Sequence, residues 1–104
     1  MIVEYIRYRL PADAGEAFER DYARAAQVLD ASPHCLAYEL SRCVDEPACY
    51  LLRIEWDSVD GHLQGFRKSA GFADFLAAIR GYIGAIEEMR HYRVGGVAAR
   101  KPAA

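Results

Sequence analysis

Hydrophobic and polar positions alternate residue by residue along four short stretches of the chain. Such alternation is typical of β-strands, because successive side chains of a strand point to opposite faces of the sheet. In the third stretch, Tyr50, Leu52, Ile54 and Trp56 share one face, and charged residues occupy much of the other. The pattern predicts strands over residues 2–10, 35–43, 49–56 and 87–94.

Apolar positions three or four residues apart predict two helical regions between these strands. The first runs from about residue 13 to 31, and Asp13 and Glu16 have the spacing of a capping box at its start. The second begins at Ser58, a residue type that often caps the N-terminus of a helix. A break at residues 69–71 divides this second region into two parts.

The predicted order β-α-β-β-α-β is that of the ferredoxin-like fold, an α+β architecture. We therefore expect one antiparallel sheet with helices on one face, in a single domain over residues 1–96, followed by a poorly ordered tail at 97–104. We call the uncovered side of the sheet the open face. Its predicted residues are Tyr5, Arg7, Arg9, Glu39, Ser41, Arg53 and Glu55. A solvated face and a face that packs on a second copy of the chain both fit this mixture of charged and aromatic side chains.

Composition excludes several classes of protein. The 104 residues carry a net charge of −2, without the concentrated basic surface that nucleic-acid binding requires. No apolar run approaches the roughly 20 residues that span a membrane, and the first residues do not resemble a signal peptide. The three cysteines fit neither a disulfide framework nor a zinc site. We expect a cytoplasmic protein with no nucleic-acid or membrane partner.

The strand at 49–56 and the second helical region bring aromatic residues together with one titratable imidazole, and a small-molecule pocket is predicted there. His62 is either a general base or a core histidine bonded to a backbone carbonyl. Trp56 is either a core residue or a hydrogen-bond donor to a ligand. Arg67 is either a partner for a phenolate or a solvated charge. His91 and Tyr92 have opposite parity, so only one of them can face the helices.

Three segments carry a family resemblance: Glu55-Trp56-Asp57-Ser58 leading into a helix, Phe66-Arg67-Lys68-Ser69 ahead of Gly71-Phe72-Ala73-Asp74-Phe75, and the stretch 86–92. Together they resemble the antibiotic biosynthesis monooxygenase family over nearly the whole chain. The resemblance implies a dimeric α+β barrel, in which two sheets pack through their open faces. It also implies a pocket between the sheet and the helices of each subunit.

The resemblance further implies oxidation of a small aromatic phenol, quinol or anthrone by molecular oxygen, with no cofactor and no metal. His62 would accept the proton, and Trp56 and Arg67 would orient the substrate oxygen. The predicted substrate-binding residues are Phe66, Phe72, Phe75, Tyr82 and Tyr92. Many members of the family carry their histidine about one turn later, where this chain has Gly65 and Phe66. Two alternatives stay open: a non-catalytic dimeric module that binds a hydrophobic molecule, and a haem-binding relative with His62 as axial ligand.

Overall fold

A computed structural model describes residues 1–103 of the chain. It contains four strands, two α-helices, one π-helix and one 3₁₀ helix in the described part of the chain. The strands are β1 (Ile2–Arg9), β2 (Cys35–Arg42), β3 (Cys49–Trp56) and β4 (Ile86–Arg93). The helices are α1 (Gly15–Ala31), the π-helix (Gly61–Phe66), α2 (Phe72–Ile79) and the 3₁₀ helix (Arg80–Ala85).

The four strands form one antiparallel sheet in the order β2-β3-β1-β4. This order confirms the predicted ferredoxin-like α+β fold. Three register pairs matter for the site: Ile2 lies opposite Trp56, and Glu4 lies opposite both Ile54 and His91. Glu4, Trp56 and His91 therefore meet at one end of the covered face of the sheet.

The core lies between the covered face of the sheet and the helices. Helix α1 buries Phe18, Tyr22, Ala25 and Leu29 against the strands, at the three- and four-residue spacing that the sequence predicts. The side chains of Trp56, Leu52 and Phe18 have no exposed surface. Among the described residues, no helix has the length and apolar composition needed to cross a membrane.

The predicted capping box at the start of α1 is wrong. The helix begins at Gly15 after Ala14, and no side chain of residues 1–103 caps its first turn. The N–H of Ala14 instead donates to the carbonyl of Pro11 at 3.0 Å, so the chain turns around Asp13 before the helix starts. Asp13 is thus one position too early to reach the free N–H groups of the helix.

Ser58 does act as a cap: its Oγ accepts a hydrogen bond from the N–H of Gly61 at 2.8 Å. The helix that follows is a π-helix, in which the N–H of Arg67 bonds to the carbonyl of His62 at 3.0 Å. This i to i−5 pattern is rare and is frequently found at functional sites. It places His62 and Phe66 toward the sheet, where both are buried.

The open face carries the residues predicted for it. The guanidinium of Arg53 pairs with the Glu55 carboxylate and donates to the Tyr5 hydroxyl at 3.3 Å. The rings of Tyr5 and Tyr92 contact edge to face, with their centroids 5.4 Å apart. Residues 97–103 form neither helix nor strand and are exposed, and Ala104, the end of the predicted tail, lies outside the described residues.

Candidate functional site

A cavity of about 240 Å³ lies between the covered face of the sheet, the π-helix and α2. Its walls are largely apolar, with Ile54 and Met89 from the sheet and Leu76 and Ile79 from α2. The predicted ring-binding residues Phe66, Phe72 and Phe75 also line it. The three phenyl rings contact one another with centroids 5.1 to 6.0 Å apart, in the edge-to-face and offset arrangements that aromatic side chains prefer.

One end of the cavity is polar, and Glu4 lies in the middle of the polar side chains at that end. This carboxyl group is only 1% exposed, although it belongs to a strand whose neighbouring core positions are apolar. The indole N–H of Trp56 donates to Glu4 Oε1 at 3.1 Å. The other oxygen, Glu4 Oε2, has no hydrogen-bond partner within residues 1–103. A buried acceptor without a partner costs free energy, so Oε2 is available to a donor on a ligand.

His62 completes this end of the cavity. Its ring stacks on the Trp56 indole, with centroids 4.3 Å apart and planes 13° from parallel. His62 Nε2 lies 3.7 Å from Glu4 Oε1, and His62 Nδ1 lies 2.7 Å from Nε2 of His91. The side chains of Glu4, Trp56, His62 and His91 therefore form one connected cluster, which we call the polar cluster.

Burial controls the protonation of the polar cluster. It raises the pKa of Glu4, although the Trp56 hydrogen bond and the positive charge of Arg67 act in the opposite direction. It lowers the pKa of His62 to about 3, and the charge of Arg67 and the neighbouring His91 add to this effect. The pKa of His91 is also lowered, by burial and then by Arg67. Both imidazoles are thus neutral at pH 7, and one N–H lies between them.

The glycines of the π-helix allow a second histidine to pack against it. A Cβ at Gly65 would lie 2.4 Å from the His34 ring, and a Cβ at Gly61 would lie 1.8 Å from Asp57 Oδ1. His34 Nδ1 and Asp57 Oδ2 are 2.9 Å apart, and this contact lowers the pKa of Asp57. The pair holds the start of the π-helix at the end of β3, and His34 is half-buried.

The structure brings six of the eight site residues predicted from the sequence to the cavity. Trp56, His62 and Arg67 lie at its polar end, and Phe66, Phe72 and Phe75 form part of its wall. Arg67 is largely exposed, so its guanidinium stands at the edge of the cavity rather than inside it. Whether these residues have the predicted catalytic and binding roles stays a prediction.

The placement of Tyr82 and Tyr92 at the cavity is wrong, and neither belongs to its lining. Tyr92 lies on the open face, because His91 is the residue of β4 that faces the helices. Tyr82 belongs to the 3₁₀ helix, where its hydroxyl donates to Asp21 and its ring packs on Phe18. Its side chain therefore turns toward α1 and away from the cavity.

Glu4 and His91 belong to the site but were not predicted from the sequence. Two signals could have found them. A glutamate on the apolar face of a predicted central strand is unusual and requires a partner. The pairing of the first and last strands in the ferredoxin-like order could then have placed a residue of β4 beside it, although the register was not predictable.

The polar cluster also contains donor atoms of the kind that bind metal ions. One ligand atom each from Glu4, His62 and His91 lies within 4.8 Å of the others. However, the two histidine nitrogens are 2.7 Å apart, whereas two nitrogens bound to one tetrahedral zinc ion stay about 3.3 Å apart. This separation fits a hydrogen bond better than shared coordination, and the expected absence of a metal site stays a prediction.

Comparison with known proteins gives a family match. Residues 1–78 match the family model described as antibiotic biosynthesis monooxygenase. The uncharacterized protein YczJ of Bacillus subtilis (strain 168) is 24% identical over 93 residues, which cover 89% of this chain and 98% of YczJ.

Solved structures show the same fold. A candidate antibiotic biosynthesis monooxygenase from Bordetella bronchiseptica has a TM-score of 0.75 at 24% identity, over 90% of this chain and 96% of that one. A mutant of SnoaB, a cofactor-independent oxygenase from Streptomyces nogalater, has a TM-score of 0.72 at 20% identity, over 89% and 91% of the two chains. At such identities the structures establish the fold alone, whereas the family model covers three quarters of the chain. The chain therefore belongs to the antibiotic biosynthesis monooxygenase family.

Proposed function

We propose that this protein is a cofactor-independent monooxygenase that oxidises a small aromatic phenol, quinol or anthrone with molecular oxygen. The observation that carries the proposal is an apolar, aromatic-lined cavity whose polar end holds a buried imidazole and an unpartnered carboxyl oxygen. An electron-rich ring would lie against the phenyl groups, with its hydroxyl at the polar cluster. SnoaB, which shares the fold, is a cofactor-independent oxygenase.

The chemistry needs little from the protein beyond this arrangement. A deprotonated phenol is rich enough in electrons to reduce oxygen by one electron, and the two radicals can then combine. For an anthrone, one oxygen atom enters the ring carbon as a carbonyl, and the other leaves as water with the two hydrogens of that carbon. The protein must bind the ring, accept a proton and stabilise the oxyanion in a dry site.

Four residues would share these tasks. His62 Nε2 would accept the proton of the substrate hydroxyl, since this nitrogen approaches Glu4, which lines the cavity. The Trp56 N–H, which now donates to Glu4 at 3.1 Å, and the charge of Arg67 would orient the substrate oxygen. Glu4, which the sequence pattern did not indicate, would accept a second hydrogen bond through Oε2.

The size of the cavity limits the substrate. An apolar cavity of about 150 Å³ binds benzene, so about 240 Å³ favours phenols and quinols of one or two fused rings over a three-ring anthrone. Drug-sized ligands occupy about 300–1,000 Å³. A porphyrin is too large for the cavity, which argues against haem binding with His62 as axial ligand.

One observation favours the alternative of a binding module without turnover. Burial holds the pKa of His62 at about 3, and an imidazole that resists protonation is a weak base. A hydrophobic ligand could then occupy the cavity with only a hydrogen bond to His62 or Glu4. Oxygen consumption separates the two functions, because a binding module would protect a quinol without consuming oxygen.

The test is oxygen uptake by chelator-treated protein with a panel of naphthoquinols, hydroxynaphthalenes and anthrones, with autoxidation subtracted. We expect protein-dependent uptake that saturates with substrate and gives a quinone product. Tight binding of these compounds without uptake would replace the proposal by the binding module. Uptake that returns only when a metal is added would refute cofactor independence.

A variant that fills the cavity tests where the reaction takes place. Leu76 lines the cavity, and Ala77 is the next residue of α2 but is exposed. Leu76→Trp should raise KM for the best substrate by about tenfold or more, because the larger side chain occupies the space for the ring. Ala77→Trp adds a similar group outside the cavity and should leave KM unchanged. Equal kinetics for the two variants would place the reaction elsewhere.

We also propose that the protein is a homodimer through its open face. This face combines the Tyr5–Tyr92 contact, the apolar side chain of Leu51 and the Arg53–Glu55 ion pair. Aromatic residues and arginine are enriched at protein interfaces. Tyr92 is 43% exposed in the single chain, and a second copy of the face would cover it.

Leu51→Glu tests this assembly. A charge near the centre of the face should raise the dimer dissociation constant by at least about tenfold, because an unpaired charge is costly to bury. Val44→Glu introduces the same charge at an exposed position of the β2–β3 turn and should have no effect. Sedimentation equilibrium measures both variants. A monomeric wild type at micromolar concentration would refute the proposed dimer.

A further inference from the structure

A buried base has a difficulty that the proposed reaction must overcome. His62 is 3% exposed and stacks on an indole, so an imidazolium at this position would lose most of its hydration. The nearby positive charge of Arg67 makes a second positive charge still less favourable. A proton taken from the substrate therefore cannot remain on His62 at low cost, and it needs a way out of the cavity.

His91 is placed to provide that way. Its Nε2 lies 2.7 Å from His62 Nδ1, on the far side of the His62 ring from the nitrogen that approaches Glu4. His62 lines the cavity, whereas His91 does not line it and is partly exposed. The two rings thus connect the cavity with the surface of the protein at the end of β4.

We propose, on the basis of the monooxygenase function above, that His62 and His91 form a proton relay from the cavity to solvent. In the resting state His62 carries its hydrogen on Nδ1 and donates it to His91 Nε2. When the substrate O–H bond breaks, its proton joins His62 Nε2, and the hydrogen on Nδ1 passes to His91. His91 then releases its Nδ1 proton to water, so both rings are neutral in their other tautomers. When the product water forms, it takes a proton from His62 Nε2, His62 Nδ1 regains its hydrogen from His91, and His91 takes a proton from water. The resting tautomers are thus restored after each turnover.

The difference in exposure of the two rings favours this direction. Besides the two histidines, Glu4 and Arg67 are the ionisable groups near the relay, and Glu4 lies at the cavity end, 3.7 Å from His62 Nε2. Burial lowers the pKa of both rings, but His91 is partly exposed whereas His62 is only 3% exposed. Imidazole passes protons readily near neutral pH, and its two nitrogens allow entry on one side and exit on the other.

The deciding variant is His91→Gln. The glutamine amide oxygen can still accept the hydrogen bond from His62 Nδ1, but it cannot pass a proton on. We expect kcat for oxygen uptake to fall by about tenfold or more while KM stays unchanged, since the cavity is intact. Arg93→Gln is the matched control, because Arg93 lies on the same face of β4 two residues further on and is exposed.

Rescue distinguishes a relay from a structural role. In His91→Ala, a small imidazole buffer can take the place of the missing ring, so added imidazole should restore kcat in a saturable way. The Arg93→Gln control should show no response to imidazole. Unchanged kcat in His91→Gln, or a loss in His91→Ala that imidazole does not reverse, would overturn the relay while the proposed monooxygenase function survives.

A measurement without turnover tests the same arrangement. Nitrogen-15 NMR of the histidine rings reports which nitrogen carries hydrogen, and we expect the Nδ1–H tautomer for His62 at pH 7. A His62 with its hydrogen on Nε2 would overturn the relay, because Nε2 could not then accept the substrate proton. A wild type that consumes no oxygen would refute the proposed function itself, and the catalytic relay with it.

Discussion

Replacing His62 with glutamine is expected to lower kcat for oxygen uptake by about 100-fold or more, the usual contribution of a positioned acid–base group. Glutamine is close to histidine in size and polarity, so the stack on Trp56 is largely kept, but it cannot accept the proton of the substrate. The position is buried at the polar end of the cavity, where water cannot easily replace the lost base. Initial rates measured by an oxygen electrode, with autoxidation subtracted, give the comparison.

The matched control is Gln64→Ala, an exposed residue in the same π-helix. It should retain wild-type kcat, which would show that the loss in His62→Gln is not a general disturbance of the helix. Wild-type activity in His62→Gln would reject His62 as the base. The unpartnered carboxyl oxygen of Glu4 would then be the next group to test, through Glu4→Gln.

The second large effect is on stability at acidic pH. Folding lowers the pKa of His62 from the ordinary 6.5 to about 3. Between these two pH values the unfolded chain binds a proton at His62 and the folded protein does not. The contribution of the neutral His62 to the free energy of unfolding is therefore fully present above pH 6.5 and is lost as pH falls toward 3. The loss approaches about 1.4 kcal/mol for each pH unit, or about 2 kcal/mol by pH 5.

The comparison of wild type with His62→Gln isolates this effect. Urea unfolding at pH 7 and pH 5 gives the free energy of unfolding of each protein, and the difference between the two proteins should shift by about 2 kcal/mol in favour of the variant at pH 5. Glu4 has a raised pKa, so its ionisation destabilises the fold as pH rises, which is the opposite sign. Glu4 is present in both proteins. If the difference in unfolding free energy between the two proteins is the same at pH 7 and pH 5, then the folded protein protonates His62 as readily as the unfolded chain does.

The sequence by itself determined the positions of the four strands and of α1, and with them the fold class. Alternation along four strands and helical spacing in α1 are local patterns, and they follow directly from the geometry of each element. The same local patterns predicted that Trp56, His62, Phe66 and Phe75 come together. The strand β3 leads into a helix within a few residues, so the apolar faces of the two elements must pack against each other. The family resemblance covered the same segments and agreed with this reasoning.

Local patterns were less reliable where several outcomes had similar free energy. Asp13 fits a capping box in sequence, but the N–H of Ala14 bonds to the carbonyl of Pro11 in a turn, and the helix starts only at Gly15. The π-helical geometry after Ser58 also has no simple periodic signature. It depends on the close packing of the His34–Asp57 pair against Gly61 and Gly65, residues that periodicity alone does not connect.

Only the tertiary structure decided the chemistry of the site. Glu4 and His91 lie on the first and last strands, and their meeting depends on the register of β1 with β4, where a shift of one residue would turn His91 to the open face and Tyr92 to the cavity. The alternation of side chains along β4 allowed either residue to face the helices, and the register of β1 with β4 determines that it is His91. The contact of His91 with His62 follows from that selection, because hydrogen bonding between distant segments is determined by packing rather than by any local pattern.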